Sequence, residues 1–185
     1  MVLTLTVVSV VAAVGLGFVY KVTKGPIEKA NLDKQLKAVE SVISGYDNSP
    51  VGESYKMAFP DGKDSMEIYP AKLDGELVGM AVKTKSPNGY SGDIWLMVGF
   101  NKDGTISNIV VTQHLETPGL GSKMTSEKFL GQYIGKDPAK TNLKVKKDGG
   151  SIDAISGATI SSRAFSEAVV SAHKTFVQSD HGKQE

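Results

Sequence analysis

The sequence predicts an α+β chain, with one apolar helix able to span a membrane ahead of a domain of antiparallel strands and helices. Three observations carry this. Residues 1–20 hold no charged side chain, two Asp-Gly pairs each sit between strand-like runs, and an amphipathic segment extends from about Ser161 to Gln178. These patterns divide the chain into an anchor (1–22), a linker helix (23–45), a folded domain (46–178) and a polar tail (179–185).

Val, Leu, Ala and Gly dominate the first twenty residues. At a rise of about 1.5 Å per residue they reach about 30 Å, the thickness of a bilayer core. Thr4, Thr6 and Ser9 are tolerable there because a hydroxyl can bond back to the preceding helical turn. A cleaved signal peptide is the rival reading. Against it, no basic stretch precedes the run, which continues to Tyr20, and nothing like Ala-x-Ala precedes Lys21. An uncleaved single-pass anchor is the expectation. Lys21 and Lys24 follow the span, so the positive-inside rule alone keeps the domain in the cytoplasm. Basic residues ahead of Met1 would reverse that count.

Gly25-Pro26 is expected to break the helix, which resumes from Ile27 to Ser44 with Leu32, Leu36, Val39 and Ile43 on one face. That stripe reads as a packing face against the sheet. Residues 45–65, with Pro50, Pro60 and Gly62, read as a polar loop. Two hairpins follow: Glu67–Leu73 with Glu76–Thr84 around Asp74-Gly75, and Ile94–Asn101 with Thr105–Gln113 around Asp103-Gly104. The segment from Pro87 to Asp93 reads as the loop between them. A short helix is expected over Ser126–Ile134, a strand over Thr141–Lys146, and a last helix whose buried stripe is Phe165, Ala168, Val169, Ala172 and Phe176.

Composition narrows the chemistry. With 21 basic and 20 acidic residues in mixed order, the net charge is +1 and no patch suits nucleic acid. The absence of cysteine excludes iron–sulfur clusters, thiolate metal sites, disulfides and catalytic thiols. His114, His173 and His181 lack metal-ligand spacing, so no metal is expected. Redox chemistry would therefore need a bound organic cofactor.

Two motifs point to one. Residues 153–159 read Asp-Ala-Ile-Ser-Gly-Ala-Thr, between Gly149-Gly150 and the last helix. Gly157 and Ala158 leave room beside Thr159, whose hydroxyl sits where a helix start exposes unpaired N–H groups and suits a phosphate. The bland alternative is an ordinary helix cap. Upstream, residues 114–121 read His-Leu-Glu-Thr-Pro-Gly-Leu-Gly. Pro118 fixes the backbone while Gly119 and Gly121 let it turn tightly, which is also what a plain Pro-Gly turn does.

The first motif resembles the Asp-x-x-(Ser/Thr)-Gly-Ala-(Ser/Thr) acceptor of proteins that carry FMN on a threonine through a phosphoester. The second resembles the loop facing that flavin in the domain shared by the G subunit of the Rnf complex and the C subunit of the sodium-pumping NADH:quinone reductase. Residues 89–99, running from Gly-Tyr to Val-Gly, resemble the same family. The resemblance implies an antiparallel sheet flanked by helices, with covalent FMN on Thr159. Asp153, Ser156, Gly157 and Ala158 would form the shape that a flavin transferase reads. Thr117, Gly119 and Leu120 would contact the flavin, and Glu116 is a candidate to hold the loop by accepting N–H bonds. Trp95 and Tyr90 could wall the flavin, and Lys123 could approach it or its phosphate. No catalytic acid or base is implied. The resemblance further implies a translocase complex whose other membrane subunits are partners, with the flavin domain on the extracytoplasmic face of the cell's inner membrane. The short chain favours the Rnf G subunit over the quinone reductase C subunit.

Two readings from other classes remain beside it. A hydrolase would use Ser156 or Thr159 with His114, yet no Gly-x-Ser-x-Gly elbow is present. A non-redox anchored binding domain would use Ser-Gly-Ala-Thr only as a cap.

Overall fold

In the computed structural model, which describes residues 2–58 and 65–181, helix α1 runs without interruption over Val2–Val42. Pro26 lies inside it, which corrects the expected break at Gly25-Pro26. A proline deletes one bond of the helical ladder, a loss that a long helix can carry when the turns on either side keep theirs. Thr6 and Ser9 donate to the carbonyls of Val2 and Leu5 at 3.0 and 2.9 Å, so neither hydroxyl is left bare on the apolar surface. By length and composition α1 can cross a membrane.

The chain divides after Lys37 into two compact units, the described residues of the first being all helical. The second is built on a meander in the order β1-β2-β3-β4-β5, antiparallel at every step. Its strands are β1 (Tyr55–Ala58), β2 (Ser65–Leu73), β3 (Glu76–Gly89), β4 (Gly92–Asn101) and β5 (Ile106–Gln113). Asp74 and Gly75 turn β2 into β3 with φ of 52° and 82°, as a two-residue hairpin demands. Gly104, at φ 83°, turns β4 into β5.

Strand alternation splits the core in two. Ile94, Leu96, Val98 and Phe100 face Phe165, Ala168, Val169 and Phe176 of helix α2 (Thr159–His181). The opposite face buries Tyr69, Ala71, Ala81 and Met97 against Ala38, Val39, Val42 and Ile43. Of the expected stripe, Val39 and Ile43 are thus packed, while Leu32 is exposed. Between β5 and α2 run two 3-10 turns, Gly121–Thr125 and Lys146–Asp148, and a single helical turn at Glu127–Leu130.

Five further expectations need correction. The polar loop at 45–65 contains β1. Its Pro60 and Gly62 lie outside the described residues. The loop at Pro87–Asp93 shrinks to Tyr90 and Ser91, because Gly89 already pairs with Gly92. The helix over Ser126–Ile134 is only Glu127–Leu130, capped by Ser126 and ended at Gly131. The strand over Thr141–Lys146 is a single parallel bridge, Val145 with Ile152. Leu143 and Val145 alternate inward as a strand would, but the backbone closes on itself: Ser151 N–H donates to Asn142 and Lys146 N–H to Ile152. Helix α2 continues to His181, past the expected start of the tail at 179, and residues 182–185 lie outside the described ones.

Candidate functional site

Helix α2 starts at Thr159, and the turn before it explains why. Gly157 takes φ 75°, a conformation open chiefly to glycine. Ala158 N–H then donates to Ile155 C=O at 2.9 Å. Ser162 locks the turn from inside the helix, accepting from Ile155 N–H at 3.0 Å and donating to Ala158 C=O at 2.9 Å. Thr159 is left half-buried on the first turn of a 23-residue helix.

That turn forms one wall of an open cleft of about 510 Å³. Its lining includes Gly157, Ala158, Thr159, Ile160 and Ser161 from α2 and the turn before it, Glu116, Thr117, Leu120 and Gly121 from the Pro-Gly loop, then Tyr90 and Lys147. Two motifs some forty residues apart in sequence therefore share one cavity. The volume lies in the roughly 300–1,000 Å³ range of small-molecule sites.

The Pro-Gly loop is shaped by its own hydrogen bonds. Thr117 C=O accepts from Leu120 N–H at 3.2 Å and from Ser122 N–H at 3.3 Å. Ser122 Oγ accepts from Gly119 N–H, and Gly119 sits at φ 76°. Leu120 is 44% exposed, and its Cδ2 would lie 3.3 Å from a Cβ placed on Gly157, so the two motifs touch here. Gly121 is constrained differently, by space. A Cβ there would meet Glu116 Oε2 at 2.5 Å and Ser161 Oγ at 2.7 Å.

Glu116 is 5% exposed. Its Oε1 accepts Ser91 N–H at 3.2 Å, and its Oε2 accepts the Ser161 hydroxyl at 2.8 Å. One carboxylate thus joins the β3–β4 turn, the Pro-Gly loop and the first turn of α2.

The remaining candidates sit elsewhere. Asp153 is exposed, paired with Lys146 at 2.8 Å, and its N–H donates to Gln132 Oε1. Ser156 is exposed on the turn, and neither it nor Asp153 lines the cleft. Trp95 is also absent from the lining. Strand alternation turns it to the Met97 face, away from α2, where Lys85 Nζ lies 5.0 Å from its ring centroid. Lys123 is not a lining residue either. Lys147 is, and the sequence pattern did not single it out. Its signal was its place in Lys144-Val-Lys146-Lys147, just before Gly149-Gly150. Gly150 is required there, because a Cβ would collide with the Lys144 carbonyl. Beside Lys147, Arg163 grips Asp148 with two bonds of 2.7 and 2.8 Å, which holds that carboxyl below its ordinary pKa. His114 Nδ1 accepts Glu116 N–H at 3.2 Å and does not line the cleft, so no nucleophile–base pair forms with Thr159. No cluster able to hold a metal occurs among the described residues.

Comparison with known proteins bears on this cleft. A family model described as an FMN-binding domain matches residues 89–174, which contain both motifs. The chain is 32% identical over 177 residues to the G subunit of the Na(+)-translocating ferredoxin:NAD(+) oxidoreductase complex of Acetobacterium woodii, covering 90% of this chain and 86% of that one. It is 35% identical to the G subunit of the ion-translocating oxidoreductase complex of Pseudomonas aeruginosa over 179 residues (89% and 83% of the two chains). The same subunit of Methanosarcina acetivorans is 35% identical over 175 residues (92% and 90%). Among solved structures, NqrC of Shewanella oneidensis is similar at a TM-score of 0.49 and 26% identity, over 62% of this chain and 60% of that chain.

Proposed function

The chain belongs to the family of ion-translocating oxidoreductase complex G subunits, and from that premise we propose that it is a membrane-anchored flavoprotein carrying FMN on Thr159 Oγ1. The observation that carries this is the cleft itself, in which Thr159 at the start of α2 shares one cavity with Glu116, Thr117, Leu120 and Gly121 of the Pro-Gly loop.

The residues present fit such a group. Unpaired N–H groups and the partial positive charge of a helix start favour a phosphate at Thr159, and Lys147 adds a full positive charge on the same cleft. Gly157 keeps the approach to the hydroxyl free of a side chain. Leu120, Ile160 and Tyr90, each exposed in the free chain, offer apolar surface to a planar ring. Thr117 offers a hydroxyl. When bound, FMN supplies one- and two-electron chemistry that no side chain of this cleft has. Glu116 is the cleft's one buried carboxylate, and both its oxygens are engaged in holding walls together. The lining therefore suits electron transfer without proton abstraction.

In this reading the other membrane subunits of an ion-translocating oxidoreductase complex are the partners. A flavin transferase recognises segment 153–159, in which Asp153, Ser156 and Gly157 are exposed, during maturation, α1 anchors the chain, and the flavin domain faces outward. The C subunit of a sodium-translocating quinone reductase is the second reading. The sequence relatives favour the G subunit, since each of those cited is so named.

The test is chemical. Protein purified from membranes and then denatured should stay yellow. The tryptic peptide 148–163 should carry the mass of FMN less one water. Complete release of flavin on acid precipitation would overturn the assignment.

A further inference from the structure

We propose that Glu116 is the positioning residue of this cleft, tying its three walls together and placing a fixed negative charge behind the bound flavin. The second half of this rests on the flavin reading; the first half does not.

The geometry is that of a strut. Glu116 is 5% exposed, and each carboxylate oxygen accepts one bond, from Ser91 N–H and from Ser161 Oγ. Both oxygens act as acceptors, as they do in an ionised carboxylate. Ser91 belongs to the turn between β3 and β4, and Ser161 lies two residues beyond Thr159. The surroundings leave the carboxylate little freedom. A Cβ on Gly121 would come within 2.5 Å of its Oε2, and one on Gly89, where the Gly92 carbonyl already forbids a side chain, within 2.8 Å of its Oε1. Gly121 thus makes way for this side chain, and the backbone at Gly89 packs close beside it.

The charge follows from the donors. An amide and a hydroxyl are both neutral, so they solvate the carboxylate without cancelling its charge. The start of α2 favours the anion there. A negative charge beside a redox group opposes the arrival of an electron, and burial weakens the screening by water. Glu116 therefore lowers the midpoint potential of a group held on Thr159.

Two variants of the full chain separate the parts. Glu116→Ala should speed hydrogen exchange of the Ser91 amide by about tenfold in protein without flavin, since one charge-assisted bond is lost. Unchanged exchange would overturn the strut. Glu116→Gln keeps the shape and removes the charge. Its attached flavin should titrate at a more positive potential than wild type, with thermal unfolding little changed. An unchanged potential would overturn the electrostatic role, because a purely structural residue would leave it unmoved. If denatured wild-type protein carries no flavin, the flavin reading fails with the charge effect, while the exchange measurement still decides the strut.

Discussion

Thr159 is needed in the proposed site only for its hydroxyl, so substitutions there should separate chemistry from packing. Thr159→Val keeps the shape and should abolish flavin attachment, whereas Thr159→Ser should retain part of it; in-gel fluorescence of denatured protein reads both. The two loop glycines should also differ. Gly121→Ala drives a Cβ against Glu116 and Ser161 and should destabilise by about 1–3 kcal/mol. Gly119→Ala has nothing within 4 Å and meets only its left-handed backbone, which costs about 1–2 kcal/mol. Denaturant titration compares them. Positive φ at Gly119 is the kind of constraint a Pro-Gly turn announces in sequence. The crowding at Gly121 is not, since it depends on where Glu116 and Ser161 meet in space. Lys147 is faint in sequence for the same reason: its place in a basic run before Gly149-Gly150 is its one mark until the fold brings it to the cleft that Thr159 lines. Lys147→Gln should slow flavin attachment several-fold without touching the acceptor hydroxyl, measured as the yield of labelled peptide over time.

The elements show the same division between local and distant causes. Asp74-Gly75 and Asp103-Gly104 mark their hairpins because turn geometry is written in the turn residues themselves. The last helix is likewise plain in its apolar stripe. What sequence does not reveal is whether an alternating run finds a partner, and Leu143 and Val145 find only a bridge. It also does not reveal that His173 of α2 is packed by Phe100 and Phe176, 8% exposed, with Asp137 at 3.8 Å. Burial lowers its pKa, and Asp137, itself paired with Lys140, only partly opposes this. A histidine held neutral by the fold contributes stability that is full above its unfolded pKa of about 6.5. That contribution shrinks as pH falls below this value, because the unfolded chain takes up a proton that the folded one resists. Thermal unfolding in detergent should therefore drop between pH 7.5 and 5.5, and His173→Gln should flatten that part of the profile.

For the whole molecule the property with most bearing on function is the side of a membrane that the second unit occupies. Val2, Leu3, Val14, Leu16 and Phe18 are all at least two-thirds exposed on α1, an apolar surface that bilayer contact would cover. Removing residues 1–22 should accordingly shift the chain from the membrane to the soluble fraction. Orientation depends on competing cues. Lys21 and Lys24 follow the apolar run and alone would hold the domain inside. The proposed covalent bond argues the other way. A cofactor tethered through an ester is not lost by dissociation, which matters most where the surrounding volume cannot return it. Two lysines are a weak orienting signal, and helices of other subunits in a complex can fix a span that its own charges leave undecided. The second unit is therefore expected to face outward. Protease added to intact spheroplasts should cut beyond Lys37 and release flavin-bearing fragments. Protection until lysis would place the flavin on the cytoplasmic side, where lost FMN can be recaptured and a covalent tether has no such advantage.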